Sequence, residues 1–209
     1  MLHQKTHFVL DLETLGTTPT SVVTAIGIQV VKSRQKENGA FEFVLGESFY
    51  TPFPYWDEQV AKGRTVTGDT IKWLLNRDRI SQEAVDALLT PSAFQNLNSY
   101  DLLGEVNRFL VREEPALANR WIWGNGSDFD NVILNGLFGT FNMVPGWEYW
   151  NNRCFRTLKN LFPGVGSRRL EIVTPFPLHH ALGDAQREAF ELAQILNQIQ
   201  STNISLPTT

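Results

Sequence analysis

Asp11 and Glu13 stand one residue apart at the end of the apolar run Phe8-Val9-Leu10. Side chains alternate along a β-strand, so both acids point to one side while Leu12 points to the other. Neighbouring anions repel each other. A cation between them relieves the repulsion, and hard divalent ions such as Mg²⁺ take oxygen ligands. A strand running out into a solvated acidic turn is the plain alternative. The pair carries chemistry only if more acids and a proton-transfer group join it.

Two later stretches offer them. Trp121-Ile122-Trp123-Gly124 reads as a buried strand, and Asn125-Gly126-Ser127 as a turn that delivers Asp128 and Asp130 to a helix start. Asp128 could cap that helix. On an ideal helix the two acids lie about 200° apart, so at most one faces a common site. Spacing alone does not choose between them. The third stretch is His179-His180-Ala181-Leu182-Gly183-Asp184. Five residues on a helix are about 140° out of phase. His179 and Asp184 therefore converge only if His179 sits on the run-in after Pro177. An acid in the first turns also suits the helix dipole. Imidazole titrates near neutrality, which suits a general base, although a histidine before a helix is as easily a cap or a core residue.

These residues need a scaffold. Residues 7–14, 22–32 and 41–51 read as three strands joined by short connections, an antiparallel meander. Pro52, Pro54 and Gly63 break the pattern. Helical periodicity follows over 69–76, 81–89 and 101–112, with Pro91 and Pro115 as stops. Residues 120–124 form a fourth strand, followed by a helix from about Asp128 and a loop over 138–147. Further helices are expected over 150–162 and 179–200. Strands, helices, a strand and more helices fit one α/β domain with a mixed sheet over 1–209, the last residues from about 201 being a frayed tail.

The bulk properties narrow the class. The chain has 209 residues, 42% hydrophobic and 19% charged, ordinary for a globular domain with a sizeable core. A net charge of −4 argues against a passive basic coat for nucleic acid, but not against an enzyme whose acids are neutralised by metal. The single cysteine, Cys154, excludes an intrachain disulfide or a cysteine-rich zinc site and points to a reducing, cytoplasmic setting. No stretch approaches the ~18 continuous apolar residues of a membrane span.

Taken together and in order, Asp-x-Glu on a first strand, Phe-Asp after a glycine turn, and His-x-Ala-x-x-Asp on a last helix resemble the DEDDh family of 3′–5′ exonucleases. That family belongs to the ribonuclease H-like superfamily. The similarity runs from about residue 7 to 196. The run Trp123-Gly124-Asn125-Gly126-x-x-Phe129-Asp130-Asn131-Val132-Ile133-Leu134 is similar to the phage and bacterial branch of exodeoxyribonuclease VIII-like and mycobacterial exoribonuclease-like proteins. The resemblance implies Asp11, Glu13, Asp130 and Asp184 as metal ligands, with two Mg²⁺ or Mn²⁺ ions per site. It selects Asp130 over Asp128, which does not directly follow the Phe, and His179 over His180 as base. It implies a central five-stranded mixed sheet flanked by helices. Four strands are visible in the sequence; the fifth is expected near 171–173, unless the strands are counted differently around Trp121. The segment Arg153-Cys154-Phe155-Arg156-Thr157 departs from the Arg-Asp-x-Arg-Thr pattern of some members, with Cys154 in place of the acid.

The implied reaction is metal-dependent hydrolysis of DNA or RNA from a free 3′ end, releasing nucleoside 5′-monophosphates. Two ions clamp the attacking and leaving oxygens. Thr14, Leu15 and Gly16 follow the first ligands and could line the terminal-nucleotide pocket. Arg153, Arg156, Lys159, Arg168 and Arg169 could guide phosphates, and Trp73, Trp147 and Trp150 could stack on bases or simply pack inside. Homodimers occur in the family, although no apolar dimer face stands out. A ribonuclease H-type endonuclease and a non-catalytic binding module on the same fold are the competing readings.

Overall fold

The structure is a computed structural model and describes residues 2–76, 78, 80–89, 97–126, 128–165 and 174–202. Five strands form one sheet: β1 (Thr6–Thr14), β2 (Val23–Gln35), β3 (Phe41–Pro52), β4 (Arg120–Gly124) and β5 (Asn152–Cys154), in the order β3-β2-β1-β4-β5. The meander β1-β2-β3 is antiparallel, as expected, while β4 pairs in parallel with β1 and β5 in parallel with β4. The fifth strand differs from expectation. It lies at 152–154, inside the stretch read as a helix, and the alternative near 171–173 falls outside the described residues. Three extended residues beside β4 are too short to show a period of two, and the helical residues that follow masked them.

The helices are α1 (Trp56–Ala61), α2 (Gly68–Leu74), α3 (Gln82–Leu89), α4 (Ser99–Glu113), α5 (Asp130–Thr140), α6 (Phe155–Leu161) and α7 (Ala181–Ser201). Helix α1 is absent from the sequence reading because Pro52, Pro54 and Gly63 crowd a single short turn. Helix α5 begins two residues later than expected and runs on to Thr140. Helix α7 begins at Ala181, which leaves both histidines outside it.

The alternation of β1 divides the core into two. Phe8, Leu10 and Leu12 face one side and pack with α4 residues Leu102, Leu103 and Val106 and α5 residues Ile133 and Leu137. Val9 faces the other side with Trp123, Phe155 and the α7 stripe of Ala189, Leu192, Leu196 and Ile199. Asp11 and Glu13 share the parity of Val9, so the strand turns both acids toward α7. Among the described residues, no helix is long and apolar enough to cross a membrane.

Candidate active site

Close approach of α7 to the sheet builds the site. Asp11 pairs with Gly27 across the β1–β2 ladder. A Cβ on Gly27 would stand 2.3 Å from the carbonyl carbon of Ala181 and 2.4 Å from the nitrogen of Leu182. Only glycine lets the first turn of α7 rest directly on β2. That turn carries Asp184, and one carboxylate oxygen from each of Asp11, Glu13 and Asp184 lies within 4.8 Å of the others.

Asp130 arrives from the opposite side, at the first position of α5 just past β4. It is 3% exposed, and the backbone N–H of Asn125 donates to its Oδ2 at 3.2 Å. Gly124 makes this turn possible, because a Cβ there would lie 2.2 Å from Oδ1 of Asn131 and 3.1 Å from the Asp130 Cβ. Asp130 is close enough for its charge to act on Asp11 and Glu13. The structure thus clusters three of the expected acids within ligand distance, with Asp130 near enough to act on two of them by charge but outside the 4.8 Å group. Asp128 is exposed, and its charge is not among those acting on Asp11 or Glu13.

The electrostatics oppose ionisation of these acids, so they are either protonated or neutralised by a cation. Burial, then the neighbouring charges of Asp130, Glu13, Glu188 and Asp184, hold the Asp11 carboxyl well above the ordinary range. Burial and the charges of Asp184 and Asp130 push Glu13 up to about 8. Burial raises Asp130 to about 6, opposed by the backbone N–H groups of Leu12 and Asn125 and by the Arg156 guanidinium. Deprotonating several carboxyls in one buried space is costly unless a cation joins them. Three or four oxygen donors without sulfur or imidazole among them suit a hard divalent ion.

His179 and His180 have different roles. His180 is buried, caps α7 by accepting the Gly183 N–H on Nδ1 at 3.4 Å, and stacks between Phe176 at 4.2 Å and Tyr50 at 4.6 Å. His179 is part-exposed on the run-in, with a left-handed backbone (φ 63°). Its N–H donates to Oδ2 of Asp184 at 2.9 Å. This turn solves the phase problem: His179 lies off the helix, so five residues of separation still bring it beside the acid.

Several neighbours were not evident in the sequence. Arg187 donates from Nε (3.1 Å) and an Nη (2.5 Å) to Oδ1 of Asp184, and its other Nη donates to Oγ1 of Thr174. Glu188 is a fifth acid, raised to about 8 by burial and by the charge of Asp130. The hydroxyl of Tyr50 is pushed up to about 12 by burial and the charge of Glu13. Spacing held a signal for the first two, since positions three and four beyond Asp184 share its helix face. Tyr50 had none, because it comes from β3.

The expected substrate contacts are placed as follows. The Thr14 hydroxyl donates to the Gly16 carbonyl at 2.6 Å, and Leu15 is buried with its N–H on the Val22 carbonyl. This closed turn directly follows Glu13. The Arg156 guanidinium lies beside Gly126 and acts on Asp130, at the site. Arg153 turns the other way, its guanidinium 4.0 Å from the Trp121 ring centroid and donating to the carbonyls of Trp150 and Asn152. Lys159 pairs with Glu191 at 2.8 Å. Trp147 is core, Trp150 is 60% exposed, and Trp73 meets the ring of His179. Arg168 and Arg169 lie outside the described residues. Cys154 caps α6, its Sγ accepting the Thr157 N–H at 3.4 Å.

Residues 6–196 match the family described as the Rv2179c-like 3′-5′ exoribonuclease domain. No match was found among curated proteins. Among solved structures, the fold is similar to an E. coli ExoI–ssDNA complex in its zinc-bound form, with TM-score 0.57, 14% identity, and 97% of this chain and 42% of that one covered. It is similar to cell-death related nuclease 4 (CRN-4), with TM-score 0.51, 14% identity, and 95% and 64% covered. It is also similar to the nuclease domain of 3′hExo, a DEDDh family member bound to rAMP, with TM-score 0.54, 11% identity, and 98% and 96% covered. The chain spans under half the length of the ExoI chain and just under two thirds of CRN-4.

Proposed function

Because the chain belongs to the Rv2179c-like 3′-5′ exoribonuclease domain family, we propose that it is a DEDDh-type 3′–5′ exonuclease in which Asp11, Glu13, Asp130 and Asp184 hold two Mg²⁺ or Mn²⁺ ions and His179 is the general base. When bound, such ions supply an activated water and stabilise the leaving oxygen. The observation carrying this reading is the convergence of Asp11, Glu13 and Asp184, from opposite ends of the chain, within 4.8 Å at a half-buried site. Burial and mutual repulsion oppose ionisation of the acids, and a bound cation would offset both.

His179 takes one proton from the attacking water. The water oxygen bonds to phosphorus, the bond from phosphorus to the 3′ oxygen breaks, and that oxygen leaves as an oxyanion that takes a proton from solvent water to become the new 3′ hydroxyl. The product is a nucleoside 5′-monophosphate. The His179 backbone bond to Asp184 ties the base to a ligand, so both are set by one turn. Arg187 holds Asp184 from the side away from His179's N–H, on the other carboxylate oxygen. The Thr14-Leu15-Gly16 turn borders the terminal nucleotide, and Arg156 meets a phosphate. Residues 1–209 act as a single exonuclease domain in the cytoplasm, on DNA or RNA with a free 3′ end. The family's description names RNA, so RNA is the first substrate to try.

The test is digestion of 5′-labelled single-stranded RNA and DNA of equal sequence with Mg²⁺, Mn²⁺ or EDTA, beside Asp11→Ala. The expected result is a ladder shortening from the 3′ end, absent with EDTA and in the variant. Near-wild-type turnover by Asp11→Ala sinks the ligand assignment. Cutting of a circular strand would favour the endonuclease reading.

A further inference from the structure

The backbone of His179 is held by Asp184, but among the described residues no hydrogen bond to its imidazole is found. A general base is ordinarily oriented by a third group bonded to its ring. Here the ring meets the indole of Trp73 instead, with centroids 4.8 Å apart and planes at 89°. Edge-to-face geometry is the favoured arrangement of two aromatic rings. We propose that Trp73 is a positioning residue for His179, its indole fixing the imidazole in the rotamer that faces the attacking water. The proposal rests on the reading of His179 as base.

Two anchors make α2 a suitable platform. At its start, the Thr67 N–H donates to the Leu15 carbonyl at 2.8 Å, tying the helix to the turn after Glu13. At its end, Leu74 packs on Ala25 and Ala181, the latter being the first residue of α7. Trp73 therefore sits on a short helix registered against both halves of the site. Its indole is part-exposed, so the contact with His179 is not a by-product of core packing. The imidazole is part-exposed too and would otherwise sample several rotamers.

An edge-to-face pair stabilises one rotamer enough to change its population about two- to tenfold. Trp73→Ala should lower kcat on single-stranded RNA by about that factor, with KM and the Mg²⁺ activation constant unchanged. Trp73→Phe, which keeps a ring, should recover most of the loss. The decisive measurement is the cycle with His179→Ala. If Trp73 acts through His179, its removal costs much less in the His179→Ala background. A second readout needs no turnover. The His179 imidazole resonances, identified by their loss in His179→Ala, should shift in Trp73→Ala while those of His180 stay in place.

Equal cost in both backgrounds, or a loss expressed in KM alone, would overturn the positioning role and leave His179 as base. An unmoved His179 resonance overturns it likewise. If His179→Ala itself retains wild-type kcat, the base assignment fails first, and this proposal with it. Thermal unfolding of each variant separates misfolding from these outcomes, and Trp73→Phe covers the case in which Trp73→Ala does not fold.

Discussion

Gly27 and Ala181 touch backbone to backbone, so closely that a Cβ on Gly27 would stand 2.4 Å from the Ala181 carbonyl oxygen. Gly27 is also the ladder partner of Asp11. The contact that seats the last helix therefore lies directly beside the first ligand. Gly27→Ala should push the start of α7 outward and carry Asp184 away from Asp11 and Glu13. The expected cost is about 1–3 kcal/mol in stability. Activity should fall at least about 10²-fold, since a displacement of about 1 Å has that effect on a reacting geometry. Thermal unfolding and a Mg²⁺ titration of turnover measure the two, and unchanged Mg²⁺ dependence would refute the argument.

The buried acids make a trade between stability and function. Asp11→Asn removes a charge from a site where burial and four neighbouring acids oppose ionisation. The variant should be inactive yet more stable than wild type in EDTA at pH 8. Differential scanning calorimetry decides this; a lower midpoint for Asp11→Asn would mean that repulsion is not what dominates the site.

The same charges set a pH dependence. Glu13 titrates at about 8 folded, against 4.5 as its ordinary value, so the folded state holds its proton more tightly. Its contribution to stability is fully present below about 4.5 and is lost as pH rises to about 8. Asp11, raised likewise, adds in the same direction. In EDTA the unfolding midpoint should fall across this window. With Mg²⁺ it should not, because metal binding favours the ionised carboxylates. Parallel pH curves with and without Mg²⁺ would count against a metal at these residues.

The two adjacent histidines should separate cleanly. His180→Ala removes a helix cap and two ring stacks, costing about 1–3 kcal/mol. His179→Gly should leave stability intact or improved, since its φ of 63° suits glycine, while kcat falls about 10²- to 10⁴-fold. Denaturant unfolding beside steady-state kinetics tests the pair, and a reversed pattern would exchange their roles.

Cys154 offers a test of local structure alone. A sulfur is a weak acceptor for the Thr157 N–H at 3.4 Å, whereas Asn is among the best N-caps. Cys154→Asn should stabilise the protein by about 0.5–1 kcal/mol in urea unfolding. Cys154 thus serves as the cap of α6, with Arg153 and Arg156 on either side of it.

The sequence determined the parts of this protein that depend on local periodicity. Alternation along β1 put Asp11 and Glu13 on one side, and the meander followed from three β-rich runs and their short turns. The apolar stripe of α7 was legible, as were the five residues that resemble the catalytic set of the family. The strand β5 was not legible, because three residues carry no period and their pairing with β4 is non-local. Tertiary structure alone decided how the parts meet. It set α7 against Gly27, turned Arg153 toward Trp121 and Arg156 toward Asp130, and placed Trp73 against His179. Such contacts join residues far apart in the chain, and a side chain's neighbours across that distance are fixed by packing, not by the residues beside it in sequence.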